Sequence, residues 1–489
     1  MPSRPGRSTR WTAFVVTALA MGLGTPARAA VVTYPTPEGA PQAADFQAKV
    51  DGEEQFVHDS AIAAFCTFSF RGKVHVSVTP QKAFARVDIR PKSRNVSFTV
   101  EDGTIHFDLD RPCQLSIELD GDIERPLFLF ANPPEKKTPR PDHERMRYFG
   151  PGKVYDVGEI ILASGEMLYI AGGAVVRGRV RAENARNVRV AGYGILDGTH
   201  RDTKTQMLKF SKCTGVEVSG IVILGSYGWT VVPVKSDNVK IDNVKIVGWR
   251  DNDDGIDIVG CHSLTIADSF LRTKDDCISV KASPPYFEGG ESGLRDVRKV
   301  AVVNSVLWNA EWGNAMEIGF ELQTESVRDI LFKNCDIIHV ERGGTFTIHN
   351  GDWATVENIR FEDIRVEDSR EKLIECRIGL SIYSGDCPQE YHRLNPDRKR
   401  SPLGQWMPVT DDELSTYAAG RGRIRNVHFK DIEVTGEKPP VSFLIGYDNG
   451  EHSVQNVTIE NLRINGQLVR HPEEGCFTID RAKGIRFAP

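Results

Sequence analysis

Apolar and polar residues alternate with a period of two along residues 31–132, in short runs separated by polar turns. The runs "KVHVSVTP", "VSFTVEDGTIHFDLD" and "CQLSIELDG" show the alternation, and Glu101-Asp102-Gly103 has the residues of a hairpin turn. This period is typical of strands with one buried face. The pattern predicts a small β-sandwich over residues 31–134. Residues 135–147 are rich in proline and charge, which do not enter a sheet interior, and are predicted to be a linker.

From residue 148 onward a short phrase recurs, with the order polar, apolar, any residue, apolar. Its copies begin at Asn187, Asn238, Ser263, Lys299, Asp329, Asn358, Asn426 and Asn456. Between residues 238 and 358 the successive starts lie 25, 36, 30 and 29 residues apart. Such spacing, with β-branched strands, predicts stacked coils whose loops vary in length. A leucine-rich repeat would need regular leucines and companion helices, and a β-propeller four strands per repeat, and neither pattern is present.

The predicted fold class is therefore all-β, with a right-handed parallel β-helix over residues 148–489 preceded by the small β-sandwich domain. The phrase is interrupted between its copies at Asn358 and Asn426. Insertions in solenoids emerge as loops on one face, often the binding face. We therefore expect an insertion at about residues 366–424 to form a wall of a cleft, an ornament of the fold or a subunit contact.

The N-terminal residues have the pattern of an export signal. Arg4, Arg7 and Arg10 precede an apolar run, and Ala27-Arg28-Ala29 supplies the small residues of a cleavage site. The run is short for a membrane anchor, which needs about 20 apolar residues. Residues 1–29 are predicted to be a signal peptide, which implies a secreted or periplasmic protein without a membrane partner.

Charge and cysteine content exclude other classes. The formal net charge of −6 becomes −10 once the four arginines of residues 1–29 are removed, and no basic stripe favours nucleic acid as a partner. The nine cysteines form no CxxC pair, so no zinc site is indicated. Cys376 and Cys387 are the pair expected to form a disulfide in an exported chain. No metal and no cofactor are predicted.

The stretch "NDDGIDIVGCHSLTIADSFLRTKDDC" carries two acidic clusters, Asp253-Asp254 and Asp275-Asp276. Asp254 and Asp275 are 21 residues apart, about one coil, so the clusters should lie on neighbouring coils about 4.8 Å apart. Like charges this close raise one another's pKa. A proton-bearing carboxyl group beside free carboxylates is the equipment for glycoside hydrolysis. A solvated acidic turn and a calcium site are the alternatives.

These residues also resemble a known family. Asn252-Asp253-Asp254-Gly255 resembles the Asn-Thr-Asp-Gly motif of the polygalacturonase family of glycoside hydrolases, and Asp275-Asp276-Cys277 resembles its Asp-Asp-Cys motif. The resemblance implies a parallel β-helix, cleavage with inversion at the anomeric carbon and no metal. It also implies that Asp275 is the general acid, and that Asp254 and Asp276 hold the attacking water.

The chain departs from the family at two places. The family's Gly-His-Gly segment matches Gly313-Asn314-Ala315, which puts asparagine where the family has histidine. The Arg-Ile-Lys motif, which holds the galacturonate carboxylate, should fall near "GTFTIHNGDW", where no arginine or lysine occurs. Lys281 and Arg250 are the candidate substitutes. The departures favour a neutral glycan, as in the similar dextranase and isopullulanase family, whose layout also places a β-sandwich before a β-helix.

The sequence thus predicts a secreted, polygalacturonase-like glycoside hydrolase that acts on a polysaccharide or oligosaccharide. The alternative within this class is a hydrolase of the dextranase and isopullulanase kind, acting on a neutral glycan. Glu321 is a further candidate for a sugar subsite, with a surface carboxylate as the alternative. The tryptophans Trp229, Trp312 and Trp353 are candidates too, with buried packing as the alternative for each. A calcium-dependent polysaccharide lyase and a non-catalytic glycan-binding β-helix are the alternatives of another class. The predicted substrate-binding residues are Asn252, Lys281, Asn314, Glu317 and His349.

Overall fold

Two β-sheets pack face to face in the N-terminal part of the chain. The structure is a computed structural model that describes residues 30–135, 141–282, 295–388, 406–410 and 414–489. One sheet contains Ala30–Val32, His58–Asp59, Ala64–Arg71, Val87–Arg90, Cys113–Leu119 and Asp122–Asn132, and the other contains Phe46–Val50, Glu53–Gln55, Val74–Pro80, Phe98–Glu101 and Thr104–Leu109. Alternate residues of both sheets, such as Phe68, Val76 and Leu129, form one apolar core between them. The predicted sandwich is confirmed.

The rest of the chain winds into a right-handed parallel β-helix, as predicted. Each coil contributes short strands to three parallel stacks, called here the first, second and third faces. The first face contains Met146–Phe149, Met167–Ile170, Arg186–Ala191, Thr214–Ser219, Asp237–Asp242, His262–Ala267, Val297–Val303, Ser326–Lys333, Thr355–Val366, Arg423–Val434 and Val454–Ile464. The second contains Lys153–Ile161, Ala174–Glu183, Ile195–Asp197, Val222–Leu224, Lys245–Val247, Phe270–Thr273, Val306–Asn309 and Asp336–Val340.

The third face carries the acidic clusters at its edge. It contains Leu208–Ser211, Val231–Val234, Ile256–Val259, Ile278–Lys281, Met316–Phe320, Gly344–Asn350, Lys372–Ile378, Val441–Ile445 and Phe477–Asp480. Gln467–Leu468, Ala482–Lys483 and Arg486–Ala488 complete the C-terminal end. The helical segments are short: Leu414–Tyr417 is α-helical, and Lys92–Arg94, Ala418–Gly420 and Pro472–Gly475 are 3₁₀ turns. Among the helices described, none has the length and apolarity to cross a bilayer.

The repeated phrase marks one backbone conformation. The first residue of all eight copies, from Asn187 to Asn456, is left-handed, with φ between 53° and 59°. Asparagine and aspartate tolerate this conformation better than other side chains with a Cβ. The turn therefore explains why the phrase so often begins with Asn or Asp.

Inside the β-helix, residues at the same position of successive coils stack on one another. Phe332, Phe361 and Phe429 form such a ladder, with ring centroids 5.0 and 4.9 Å apart and planes within 3°. Their strands pair in register, Phe332 beside Phe361 and Phe361 beside Phe429. Burial of these side chains stabilises the stack and fixes which residues of neighbouring coils lie side by side.

The β-sandwich packs against the second face through aromatic side chains. Phe128 lies 4.9 Å from Phe270 and 5.8 Å from Trp308 between ring centroids, and all three are fully buried. Beside this cluster, the buried His339 of the β-helix lies 3.0 Å from Glu118 of the sandwich. The two units therefore share an apolar core and a buried ion pair.

Several expectations need qualification or lie outside the described residues. The signal peptide at residues 1–29 and residues 136–140 of the expected linker lie outside them, and the first β-helix strand begins at Met146, inside that linker. Lys372–Ile378, within the insertion expected at 366–424, pairs in register with the third face, so the departure from the coil follows Ile378. The expected disulfide is wrong, because all nine cysteines are free. Cys376 faces the β-helix core, whereas Cys387 is partly exposed beside Met407.

We predict that Phe128→Ala destabilises the protein by about 3–5 kcal/mol, because it opens a cavity in the shared core. The matched control is Phe98→Ala on the sandwich surface, where the side chain is 37% exposed. The control should change the free energy of unfolding by about 1 kcal/mol or less. Urea denaturation of both variants measures the difference, and equal losses would contradict a shared core at Phe128.

Candidate active site

The register of the third face sets the positions of the acidic residues. Ile256, Ile278 and Met316 lie side by side on three successive coils. Asp254, Asp276 and Asn314 each precede one of them by two residues, and backbone hydrogen bonds continue the pairing there: Gly255 N–H donates to Asp276 O over 2.8 Å, and Cys277 N–H to Asn314 O over 2.9 Å. The coil is thus 22 residues long, and Asp276 rather than Asp275 is the partner of Asp254.

Three carboxylates converge where this row meets the surface. One oxygen from each of Asp254, Asp275 and Asp276 lies within 4.8 Å of the others. They line a cleft of about 710 Å³ together with Lys204, Gln206, Trp229, Asn252, Lys281, Asn314, Phe320, Glu321, Gln323 and Tyr383. The sequence-predicted catalytic residues are therefore brought together, and together they can supply a proton and hold a water molecule.

Asp253 belongs to the acidic cluster in the sequence but lies beneath the cleft. Its carboxylate is fully buried and accepts N–H hydrogen bonds from Arg250 (3.0 Å), Lys274 (2.8 Å) and Asp275 (3.2 Å). Burial raises the pKa of Asp253 to about 8, and the Lys274 and Asp275 N–H donors partly oppose the rise. Asp253 thus joins two coils and fixes the backbone that presents Asp275.

Lys281 is the cation at the centre of the cluster. Its Nζ lies 3.3 Å from Asp254 and 3.1 Å from Asp257, and 4.0 Å above the Trp229 ring. Burial opposes the charged form, but Asp257 and Asp254 raise the pKa of Lys281 well above its usual value. The side chain is only 6% exposed, so this charge interacts mainly with the two aspartates.

The aspartates themselves are shifted toward the protonated form. Burial, Asp257 and Asp275 raise the pKa of Asp254, and Lys281 opposes them. Burial and Asp275 likewise raise the pKa of Asp276. Asp257, which sequence reasoning missed, has its pKa raised to about 7 mainly by burial. The signal for it was a polar residue inside the apolar strand "GIDIVG".

Asn314 contacts Asp276 directly. Its backbone N–H and its Nδ2 donate to Asp276 Oδ1 over 2.7 and 3.3 Å. The preceding Gly313 has φ of 68°, and a Cβ there would lie 2.3 Å from Asp276 N. A glycine is therefore required for this coil to approach the Asp275-Asp276 peptide.

The remaining predicted binding residues divide into two groups. The exposed Asn252 lines the cleft and accepts a hydrogen bond from Lys204. Glu317 and His349 do not line the cleft, and each is at most 1% exposed. The expected sugar contacts of Glu317 and His349 are not supported, because the two side chains pair with each other beneath Asn314 at 3.0 Å.

Among the other candidates, Trp229 and Glu321 line the cleft, and Trp312, Trp353 and Arg250 do not. Arg250 is held by the backbone carbonyls of Gly198, Thr199 and Arg201 and stacks on Tyr227. Sequence reasoning missed Lys204, Gln323 and Tyr383 as lining residues, since no phrase of the repeat marks the loops that carry them.

One wall of the cleft is formed by residues 382–387. Ser384 Oγ donates to Gly351 O, and Gly385 N–H donates to Asp352 over 2.9 Å. The Arg421 side chain is buried, and its guanidinium donates to the carbonyls of Gly351 and Gly379 and pairs with Asp386. Tyr383 packs on Phe320 at the cleft floor, with ring centroids 5.4 Å apart. The wall is therefore tied to the coils beneath it.

Comparison with known proteins supports the resemblance drawn from the motifs. The model of glycosyl hydrolases family 28 matches residues 190–375, which include all three aspartates. The exopolygalacturonase clone GBGE184 of Arabidopsis thaliana is 26% identical over 34% of this chain and 37% of its own length. The probable exopolygalacturonase B of Aspergillus fumigatus is 24% identical over 47% of this chain and 50% of its own. The matches thus span half or less of these curated relatives.

The fold has a solved counterpart. Dex49A from Penicillium minioluteum superposes with a TM-score of 0.63 at 14% identity, covering 93% of this chain and 96% of its own. The overlap includes the β-sandwich as well as the β-helix, because it extends over nearly all of both chains. The predicted resemblance to the polygalacturonase family, with a layout of this kind, is confirmed.

We predict that Arg421→Met loosens the cleft wall. The carbonyls of Gly351 and Gly379 and the exposed Asp386 carboxylate lose their donor, so stability should fall by about 1–3 kcal/mol. Hydrogen exchange should increase in residues 379–388. Arg425→Met is the control, since Arg425 pairs with Glu357 at the surface and should contribute about 1 kcal/mol or less. Unchanged exchange in residues 379–388 would contradict the anchoring role.

Proposed function

We propose that this chain, whose residues 190–375 match the family 28 model, is a secreted glycoside hydrolase that cleaves polysaccharides by an inverting three-aspartate mechanism. The observation that carries the proposal is the convergence of Asp254, Asp275 and Asp276 in one cleft, within 4.8 Å of one another. Three carboxylates so close titrate as a unit, because each proton bound changes the pKa of the others. Burial and neighbouring carboxylates raise the pKa of Asp254 and Asp276, so the cluster can retain a proton for a leaving oxygen.

The roles follow the motifs. Asp275 protonates the glycosidic oxygen, and Asp254 and Asp276 orient the water that attacks the anomeric carbon. The Lys281 cation at Asp254 and the two Asn314 donors at Asp276 oppose part of the rise in pKa that burial and the neighbouring carboxylates cause in these two aspartates. A base must be ionised, so these contacts widen the pH range over which the pair can activate water.

The stereochemistry is a separate test. Acid and base carboxyl groups of inverting glycosidases commonly lie about 6.5–9.5 Å apart, whereas those of retaining enzymes lie about 5–5.5 Å apart. The oxygens of this cluster approach more closely than the first range. Inversion, implied by the motifs, requires Asp254 and Asp276 to hold the water that attacks the anomeric carbon, whereas in a retaining enzyme a carboxylate would attack that carbon itself. Proton NMR of the first product anomer distinguishes inversion from retention.

The substrate has two candidates. The curated relatives are named as polygalacturonases, which suggests an acidic galacturonan. The charge of the cleft favours a neutral glycan instead: the cations among its described lining residues are Lys204 and Lys281, against Asp254, Asp275, Asp276 and Glu321. Both lysines already have partners in Asn252 and the aspartates. A uronate would therefore meet a cleft of its own sign.

We predict that Asp275→Asn lowers kcat by about 10²–10⁴-fold, the usual contribution of a general acid. Reducing ends should be scored on polygalacturonate, dextran, pullulan, arabinan and xylan. Asp251→Asn is the control, because this nearby aspartate is 64% exposed and pairs with Lys274 at the surface. It should retain activity. Equal activity of Asp275→Asn and wild type would refute the assignment.

The same assay separates the other classes. A calcium-dependent lyase would produce unsaturated ends that absorb ultraviolet light and would stop when a chelator is added. A non-catalytic binding protein would retain the polysaccharide without releasing reducing ends. A hydrolase releases reducing ends and is indifferent to chelation.

A further inference from the structure

A buried row of polar and charged groups extends from the cleft across three further coils of the third face. It begins at Asp276 and passes through Asn314, Glu317 and His349 to Glu375. Glu317, Thr347 and Glu375 occupy the same strand position on successive coils, and Gly319 and His349 lie two residues further along. Glu317, His349 and Glu375 are each at most 2% exposed. The mechanism proposed above uses only Asp276 and Asn314, the first two members of this row.

The Asn314 side-chain amide is oriented by three contacts. Its Oδ1 accepts the Gly344 N–H over 2.8 Å, and its Nδ2 donates to Asp276 and, over 3.0 Å, to Glu317. Rotation of the amide by 180° would place its oxygen against two carboxylates and its NH₂ group against an N–H. The orientation with both amide hydrogens toward the acids is therefore fixed.

Glu317 is held in turn by the next coils. Thr347 Oγ1 donates to its Oε2, and His349 Nδ1 lies 3.0 Å from the same oxygen. His349 Nε2 lies 3.3 Å from Glu375, which also pairs with Lys372 and Arg377. The His349 ring is stacked on Phe320 and meets the edge of Trp406. Acidic and basic groups thus alternate outward from the cleft.

His349 carries a positive charge in this setting. Burial alone would lower its pKa, but Glu317 and Glu375 raise it to about 9. The stability that this pairing contributes is complete below the unfolded pKa of about 6.5 and is lost as the pH rises through about 9. Across the acidic and neutral range, His349 therefore compensates the charge of Glu317.

We propose that Glu317 and His349 are positioning residues that hold the Asn314 amide on Asp276 and balance the charge beneath it. The proposal rests on the function proposed above, because it gives Asp276 its role in activating water. Glu317 is needed to orient the amide, and its negative charge acts on Asp276 unless His349 offsets it. The two residues therefore affect Asp276 in opposite directions.

This opposition gives the test. Glu317→Gln removes a negative charge that raises the pKa of Asp276, so the acidic limb of the kcat/KM profile should move to lower pH. His349→Gln leaves Glu317 uncompensated, so the limb should move to higher pH. Shifts of about half a unit or more are expected for charges this close. The double variant should return toward the wild-type limb. In Glu317→Gln, kcat should also fall by roughly tenfold or more, because the Asn314 amide loses its carboxylate acceptor.

The matched control is Glu118→Gln in the β-sandwich. Glu118 and His339 form a second buried carboxylate–histidine pair with the same 3.0 Å separation and the same exposure as Glu317 and His349. Loss of the Glu118–His339 pair should lower the stability of the protein and leave the acidic limb of the kcat/KM profile in place. The proposal would be overturned if this limb moved in the same direction in Glu317→Gln and His349→Gln, or if it stayed fixed in both variants.

A second readout separates this proposal from the hydrolase proposal. The carboxyl carbon of Asp276, assigned with Asp276→Asn in protein labelled with ¹³C-aspartate, reports its own titration by NMR without any turnover. If wild type cleaves none of the glycans, the proposed function fails, and the opposite shifts of the Asp276 signal in the two variants still decide whether Glu317 and His349 act on it. Equal or absent shifts of that signal would refute the positioning role.

Discussion

Stacking of successive coils in register is the constraint on which the rest of this structure depends. Neighbouring parallel strands lie about 4.8 Å apart, so residues at one position of adjacent coils must be neighbours. Ile256, Ile278 and Met316 pair in register on three successive coils, and Asp254, Asp276 and Asn314, each two residues earlier, are thereby aligned at the cleft. The apolar ladder, with its stacked Phe332, Phe361 and Phe429, supplies the burial that holds like charges together at the cleft.

A stack that buries carboxylates must also place cations among them, since an isolated buried charge costs several kcal/mol. Lys281 lies between Asp254 and Asp257, and His349 lies between Glu317 and Glu375. Well-packed apolar residues could stabilise these coils as well or better. The charged row is therefore better explained by control of protonation in the cleft than by stability of the fold.

The sequence was sufficient for the features that one coil repeats. The phrase beginning at Asn187 and recurring to Asn456 predicted the β-helix, because a left-handed turn and alternating apolar residues leave a local pattern. Asp254, Asp275 and Asp276 were placed together from their spacing alone. Even there the register differed by one residue, because the spacing of Asp254 from Asp275 does not show which residue begins the next coil.

Features that depend on contacts between distant segments left no such pattern. Period-two alternation predicts that the side chains of Glu317 and His349 point away from the core. Both were therefore expected to be exposed and able to contact a sugar. The Phe320 and Trp406 rings cover His349, and Tyr383 packs on Phe320 from the neighbouring segment, whereas Glu317 is buried beneath Asn314. Cys387 was carried into the cleft wall by the same segment, away from Cys376 in the core.

The asparagine at position 314 connects the site to this covering. A neutral amide has no charge of its own to offer Asp276, so its effect depends on which way its two hydrogens point. An imidazole at that position would take its hydrogen-bonding role from its own protonation state. With asparagine, the orientation is imposed from outside, by the Gly344 N–H on one side and by Glu317 on the other. Glu317 can remain an acceptor there because His349 balances its charge, which makes the chemistry at the cleft depend on ionic pairing two coils away.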